Sequence, residues 1–521
     1  MSQKIDKPAD DHEVVNGQTS AAAPAGTNVT EAGPSMKLKT ARSLKWNVFD
    51  RLASQLLYAV TGIVLARMLS QDEFGLVGAV LVFQAFASLL VDSGFSAALI
   101  QRKSPTRLDY STVMWFNIGM SVVLYIILWL SAPWIADIFG SDPRLVPLSR
   151  VMFVSLIING AAIVQTNRFM KQMNVRPIAI ADALALVAAG VTGIWLAVAG
   201  YGAWAIVWQT LVLAVVKTLL LWTMSRWLPM LAFSRKALRS FFAVGSGMML
   251  TSFLNTLFQN IYSFFIGNRV GLVSLGYYSQ SDKWSKMFTA SLSQVLTSSF
   301  LPVLSAVQDD GPRYAAMAQK MNRMTAYITL PAMIGLMVMA TPIFHLLFGT
   351  KWDPSIILFQ LLLLRGIFVV MTGLYSNYLL ALGRSRVIVW MEVVRDSVAL
   401  VALFASFPLL AATRPGNPVW GVEIMLWGQV LASVVAWAVT LWGTQRYASV
   451  SAFKLITGTF PYLAECLVIG AVMWSLSYLI ATPALLLAAQ CVCGALLYFG
   501  VNAALRSRIQ YDALAYVRGR L

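Results

Sequence analysis

Several ionisable residues interrupt runs that are otherwise apolar. Arg365 stands in LLLLRGIFVVM (361–371), Lys283 and Lys286 in YYSQSDKWSK (277–286), and Arg51 one to two turns inside the first apolar segment. A charge at the centre of a bilayer costs about 2.5–3.5 kcal/mol even on lenient scales, so residues of this kind face a watery cavity or each other. Fixed cations there do one kind of chemistry well: they replace water around an anion. Polar residues recur around them every three or four positions, which puts them on single helix faces. The first apolar segment carries Asn47, Arg51, Ser54, Gln55, Tyr58 and Gly62; the seventh Ser252, Asn255, Gln259, Tyr262 and Ser263; the eighth Ser279, Lys283, Lys286, Ser293 and Thr297; the tenth Arg365, Thr372 and Ser376. Four such stripes read as the wall of one cavity, with Arg51, Gln55, Tyr58, Asn255, Gln259, Lys283, Lys286 and Arg365 as substrate-binding candidates. Hydrogen bonding within a packed bundle is the alternative for any single one.

The acids suit a second chemistry. Asp92, in VDSG (91–94), has no basic residue within a turn, and an acid so placed can carry a coupling proton or sodium ion. Asp182 and Glu392 are further candidates. Simpler readings stand beside these. Arg51 and Lys217 can extend to the membrane surface, Lys283 can pair with Asp282, and Arg395 can pair with Glu392 or Asp396. His345 reads as structural, Cys491 and Cys493 as core packing, and Trp134, Trp204, Trp352 and Trp420 as interfacial belts.

Composition says what must hold these groups. Of 521 residues, 58% are hydrophobic and 12% charged, with a mean hydropathy of +0.70. That is about half the charged share of a soluble domain, too little to coat a soluble surface. The chain reads as an all-α polytopic membrane protein. Three cysteines and two histidines give no disulfide framework and no zinc or haem centre; no cofactor or metal is expected. There is no GxxxxGK[ST] phosphate loop. The net charge of +17 follows from the loops and calls for lipid headgroups, not nucleic acid.

Spans of about 20 apolar residues fall near 45–67, 74–100, 111–132, 148–167, 178–199, 201–223, 241–267, 278–304, 324–348, 355–382, 387–410, 419–443, 460–480 and 483–505, about 14 transmembrane helices in all. With the amino terminus inside, the inner segments hold 25 Lys and Arg, and the outer loops five: Arg67, Arg144, Arg269, Lys351 and Arg414. That bias puts both termini in the cytoplasm. Residues 1–35, rich in Ala, Pro, Gly, Ser and Thr, read as a disordered cytoplasmic tail, with Met36 a possible second start. The first and second six helices repeat weakly. Gln55 and Tyr58 match Gln259 and Tyr262; Phe74-Gly75 matches Leu275-Gly276; Asn167, Arg176, Ile178 and Asp182 match Asn377, Arg386, Ile388 and Glu392. An even number of helices makes these parallel repeats about an axis along the membrane normal, a transporter arrangement with the substrate path between halves. The expected division is a six-helix lobe at 36–226, a second at 227–445, and two additional helices with a basic tail at 446–521.

LARMLSQDEFGLVGAV (65–80), DSGFSAALIQRK (92–103), LGYYSQSDKWSK (275–286), LPVLSAVQDD (301–310), FGTKW (348–352) and LALGRSR (380–386) resemble the Wzx-type polysaccharide flippases, WzxC-like branch, of the multidrug/oligosaccharidyl-lipid/polysaccharide exporter superfamily. The resemblance covers roughly residues 36–450. It implies a V-shaped pair of six-helix lobes opening alternately to each side of the bacterial cytoplasmic membrane. It further implies transfer of undecaprenyl-diphosphate-linked sugar units to the outer leaflet, driven by an ion gradient or by downstream polymerisation, with polymerase and glycosyltransferases of the same pathway as partners. By similarity to the related lipid II flippase, Arg51 and Lys283 or Lys286 hold the places of functional cations, here with lysine rather than arginine on the eighth helix. Two other functions compete: a multidrug or cation exporter, whose isolated cavity charges would be acids, and a membrane polysaccharide polymerase, which needs a larger outer loop than the roughly 15 residues available here.

Overall fold

The structure, a computed structural model, describes Trp46, residues 53–507 and residues 509–511, without the side chains at 244, 295 and 297–299. Arg51, Asn47, the 1–35 tail and the side chain of Thr297 lie outside the described residues. Every named element among the described residues is helical. A helix stands at each of the fourteen sequence segments: α1 (Ala53–Met68), then α2 (Gln71–Asp92), α3 (Phe95–Gln101), α4 (Arg107–Ile138), α5 (Leu145–Met152), α6 (Val154–Lys171), α7 (Arg176–Val198) and α8 (Trp204–Ser225). The second half holds α9 (Arg235–Arg269), α10 (Leu272–Ala306), α11 (Gly311–Val338), α12 (Ala340–Leu347), α13 (Asp353–Ala381), α14 (Ser385–Ser406) and α15 (Trp420–Ala448), followed by α16 (Ala452–Ser475) and α17 (Pro483–Ala504).

Among the described residues, nine helical stretches are long and apolar enough to cross a membrane, or eleven if two bent pairs each count as one span, against the fourteen read from sequence. The difference has a physical source. The described part of α1 is short, α10 carries the charges and hydroxyls of its stripe, and α14 carries Glu392, Arg395 and Asp396 within one turn, so neither reads as a lipid-facing span.

Local sequence sets the breaks. Ser70 caps α2, accepting from Glu73 N at 3.3 Å while the Glu73 carboxylate accepts from Ser70 N at 2.6 Å. Thr106 and Asp109 do the same for α4. The second segment is split at Ser93 and Gly94, both left-handed (φ 48° and 71°); Gly94 is required there, because a Cβ would lie 2.4 Å from the carbonyl oxygen of Gly245. Opposite it, α9 bends by 53° between Ala243 and Gly245. The two helix interruptions face one another.

The two halves meet where α2 crosses α10, and the contact is reciprocal. A Cβ on Gly75 would stand 1.9 Å from the carbonyl oxygen of Leu272, and one on Gly276 would stand 1.9 Å from that of Gln71. Glycine at Phe74-Gly75 and Leu275-Gly276, paired in the sequence repeat, is therefore the means by which the equivalent helices approach backbone to backbone. An apolar cluster draws on both halves around this crossing, including Leu76, Val80, Phe139, Phe153, Tyr278 and Leu362. A second cluster fills the C-terminal half, around Met333, Phe344, Trp352, Tyr375 and Tyr378.

At the end carrying few Lys and Arg, the α1–α2 turn is clasped by the loop before α13. Lys351 Nζ donates to the carbonyls of Arg67 (2.9 Å) and Leu69 (2.6 Å), Trp352 Nε1 to Ala66 O (2.9 Å), and Gln71 Nε2 to Lys351 O (2.5 Å). In return, the Arg67 guanidinium donates to Leu347 O (2.8 Å) and Leu346 O. Trp352 is buried and stacks edge-on against Phe74. It is a core tether, not a member of an interfacial belt, since the loop that carries it folds inward over α1. Trp134, by contrast, is exposed.

The last two helices are held to α11 by polar contacts buried among apolar side chains. Asn322 Nδ2 donates to Leu455 O (2.8 Å) and Thr459 Oγ1 (3.0 Å), and Tyr498 OH donates to Tyr327 O (2.7 Å).

Candidate functional site

Two of the predicted cations share a cavity of about 320 Å³ between α9, α10 and α13. Gln259, Ser285, Lys286, Thr289, Ser293 and Arg365 supply its polar wall. The positions follow from helical periodicity. Ser285, Lys286, Thr289 and Ser293 lie along one face of α10, and Arg365 projects from α13, which packs closely along α10. Among the described residues Arg365 has no ion-pair partner, and its half-buried guanidinium is left to the cavity. Lys286 is different. Its ammonium lies 2.6 Å from Asp282 Oδ2, one turn earlier, with side chains 44% and 13% exposed. The second oxygen of that carboxylate, Asp282 Oδ1, is buried without a hydrogen-bond partner among the described residues. Asp282 thus leans on Lys286 for its compensation. Sequence reasoning placed Asp282 beside Lys283; the i,i+4 geometry of the helix gives it to Lys286 instead.

Lys283 turns toward α1. Its ammonium lies 4.7 Å from the centre of the Tyr58 ring and 5.6 Å from that of Trp284, a cation held by aromatic faces with no carboxylate partner among the described residues. Gly62 makes the space, since a Cβ there would fall 2.8 Å from Lys283 Nζ. Tyr58, Gly62 and Lys283 therefore join the α1 and α10 stripes. Gln55 is half-buried on α1, and Asn255 is exposed on α9 one turn before Gln259. Arg51 lies outside the described residues.

A second cavity, about 350 Å³, adjoins the first. They share Ser293 and Val369; its remaining polar wall comes from Thr372, Ser376, Asn377, Glu392, Arg395, Ser433 and Thr440. Arg395 Nε lies 2.9 Å from Asp396 Oδ1, and Glu392 has no ion pair among the described residues. A third cavity, about 410 Å³, opens between α11, α16 and α17 with a mainly apolar wall that includes Ile334, Met339, Ile469, Met473 and Cys491. Cys491 is exposed on this wall and Cys493 half-buried, so neither packs a core; among the described residues no further helix covers the outer faces of α16 and α17.

The other two acids are occupied. Asp182 pairs with Lys217 at 2.6 Å. Lys217 thus does not extend to the surface, because adjacent α7 and α8 bring an acid within its reach. Asp92 accepts from the backbone N (3.3 Å) and hydroxyl of Ser96 across the Ser93-Gly94 break, and Ser96 Oγ accepts from Asn167 Nδ2 (2.7 Å). His345 Nε2 is 2.8 Å from Asp353 Oδ1, a contact that ties α12 to the start of α13. Among the described residues, no group of three His, Cys, Asp or Glu residues could hold a metal ion.

Comparison with known proteins fits this arrangement. The chain is 25% identical over 422 residues, 78% of its length and 83% of the relative's, to the teichuronic acid biosynthesis protein TuaB of Bacillus subtilis. It is 24% identical to the succinoglycan biosynthesis transport protein ExoT of Rhizobium meliloti, covering 70% of this chain and 73% of that one. The lipopolysaccharide biosynthesis protein WzxC of Escherichia coli is 26% identical, with 67% and 71% covered. Among solved structures, the lipid II flippase MurJ in an inward closed conformation has the same fold (TM-score 0.66, 15% identity, 91% of this chain and 99% of that one). An inward-facing multidrug resistance MATE transporter of the MOP superfamily is more distant (TM-score 0.55, 18% identity, 77% and 96%). The family described as polysaccharide biosynthesis protein matches residues 64–357, more than half of the sequence, and the chain belongs to that family.

Proposed function

We propose that the protein is a flippase that moves undecaprenyl-diphosphate-linked oligosaccharide units from the cytoplasmic to the outer leaflet by alternating access, for surface polysaccharide biosynthesis. One observation carries this reading. Two cations from different helices, Lys286 and Arg365, line a cavity inside a bundle of membrane helices, with Lys283 nearby on α10. A diphosphate brings multiple negative charge into a low-dielectric slab, and fixed ammonium and guanidinium groups offset the loss of its water. Arg365 supplies a planar fork and the lysines supply point charges. The apolar cavity between α11, α16 and α17 suits a hydrocarbon chain. Arg51, Gln55, Tyr58, Asn255 and Gln259 remain parts of the proposed path.

A drug or cation exporter would present acids as its open charges. Here Asp182 is paired with Lys217 and Asp92 is hydrogen-bonded to Ser96, while the first cavity presents cations. Glu392, which lines the second cavity, is the best placed of the three acids for ion coupling. The protein acts on this reading in the bacterial cytoplasmic membrane, with both termini inside and with polymerase and glycosyltransferases of the same pathway as partners. The relatives named for transport and biosynthesis support a transporter over an enzyme. In a deletion strain, surface polymer disappears while complete lipid-linked units accumulate. Normal polymer and normal intermediates would overturn the proposal; polymer loss with units accumulating on the outer face would indicate a polymerase.

The Asp282–Lys286 pair gives a sharper expectation. A diphosphate must draw Lys286 away from Asp282. Asp282→Asn removes that competitor, and lipid diphosphate binds about 2- to 5-fold more tightly, the worth of a partly exposed ion pair. Thermophoresis with undecaprenyl diphosphate reads the change. Weaker binding would mean that Asp282 positions Lys286 for the ligand.

A further inference from the structure

We infer that the second cavity receives the sugar ring joined directly to the diphosphate, and so sets which saccharides the protein accepts. This rests on the reading of the first cavity as the diphosphate site. A phosphate and the sugar it esterifies are one bond apart, so their sites must share a wall. Of the cavities described above, only this one shares lining residues, Ser293 and Val369, with the cation cavity.

Its chemistry differs from that of its neighbour in the direction a sugar needs. The first cavity offers two cations and no acid on its wall. The second offers hydroxyls, one guanidinium and one carboxylate, and that guanidinium is already balanced by Asp396. Glu392 would repel a phosphate there, and so polar a wall does not suit a hydrocarbon. A neutral polyol both donates and accepts at every hydroxyl, and this wall answers in both senses. Arg395 donates and Glu392 accepts. The hydroxyls of Ser433 and Thr440 donate to Gln429 O (2.9 Å) and Ala436 O (2.8 Å) in their own helix, leaving lone pairs that accept. Thr372 Oγ1 is buried without a hydrogen-bond partner among the described residues, a group whose hydrogen bond a ligand can complete. At about 350 Å³ the space lies near the lower end of small-molecule sites, about 300–1,000 Å³. That is room for one ring and its waters, not a whole repeat unit. The ligand class is a hexopyranose at the reducing end of the saccharide.

The test compares undecaprenyl diphosphate with undecaprenyl diphosphate carrying one hexose, both binding to the purified full-length protein in nanodiscs. The hexose is expected to tighten binding to the wild type about tenfold, the scale of one or two well-made hydrogen bonds. Thr372→Val combined with Ser376→Ala removes this increment and leaves the affinity for undecaprenyl diphosphate unchanged, which also certifies that the variant is folded. Thr372→Ser keeps the increment. A wild type that binds both lipids equally, or a double variant that loses affinity for both to the same degree, would overturn the inference while leaving the diphosphate site in place. If the wild type binds neither lipid, the diphosphate site falls and this inference with it.

Discussion

Arg365→Ala is expected to abolish surface polymer in a complemented deletion strain and to weaken binding of undecaprenyl diphosphate about 10- to 100-fold, the worth of one or two charge-assisted hydrogen bonds. The size of the effect follows from where the guanidinium stands. It projects from the middle of α13 into the first cavity, half-buried and without an ion-pair partner among the described residues. Its charge is therefore available to the ligand. For the same reason its removal strands no buried acid, and the variant should reach the membrane in normal amount. Arg365→Lys keeps the charge and loses the fork, so binding and polymer are intermediate. Lys286→Ala should cost less in binding and more in stability, since it leaves Asp282 buried and uncompensated. Equal binding by wild type and Arg365→Ala would remove this residue from the site.

The second large effect concerns the crossing of α2 and α10. Gly75→Ala and Gly276→Ala each place a methyl group 1.9 Å from a backbone carbonyl oxygen of the other helix. Side-chain motion cannot relieve this, because the obstacle is backbone. The helices must separate, at a cost of about 1–3 kcal/mol or more, and the clasp of Lys351 and Trp352 on the α1–α2 turn is strained with them. Both variants are expected to lose surface polymer and to melt at lower temperature in detergent. The double variant should cost less than the sum of the two, since one separation relieves both overlaps. Gly119→Ala, where an added Cβ meets nothing within 4 Å, serves as a control that keeps function. A Gly276→Ala protein with normal polymer and melting temperature would show that α2 and α10 do not need this approach.

Much of the site was legible in the sequence because charge inside an apolar run is a strong signal. Arg365 and Lys286 stand out as charges inside apolar runs and Gln259 by its place in a polar stripe, and the structure brings the three to one cavity. The alignment of Phe74-Gly75 with Leu275-Gly276 marked matching positions of the repeat, but not that they meet or that a carbonyl oxygen lies against each glycine. What sequence missed depends on contacts between distant segments. Trp352 was read as an interfacial residue, yet it is buried against Ala66 and Phe74; the loop's inward fold has no local signature. The Asp182–Lys217 pair joins residues on different helices, as does the Lys283–Tyr58 contact. Sequence adjacency suggested Lys283 as the partner of Asp282; helical geometry assigns it to Lys286, one turn on. Of the second cavity, Glu392, Arg395, Thr372 and Ser376 were conspicuous in the sequence, whereas Ser433 and Thr440 look like ordinary packing residues of α15.

The central claim is that this chain, by itself, carries a lipid-linked saccharide across a bilayer with Arg365 on its path. The most direct measurement reconstitutes the purified protein into liposomes holding undecaprenyl diphosphate with a labelled sugar in both leaflets, then adds a membrane-impermeant glycosidase. With wild-type protein, label from both leaflets is expected to be released; with Arg365→Ala, release stops at the outer-leaflet share seen in protein-free vesicles. Wild-type protein that releases no more than protein-free vesicles, under an imposed ion gradient as well as without one, would contradict the account.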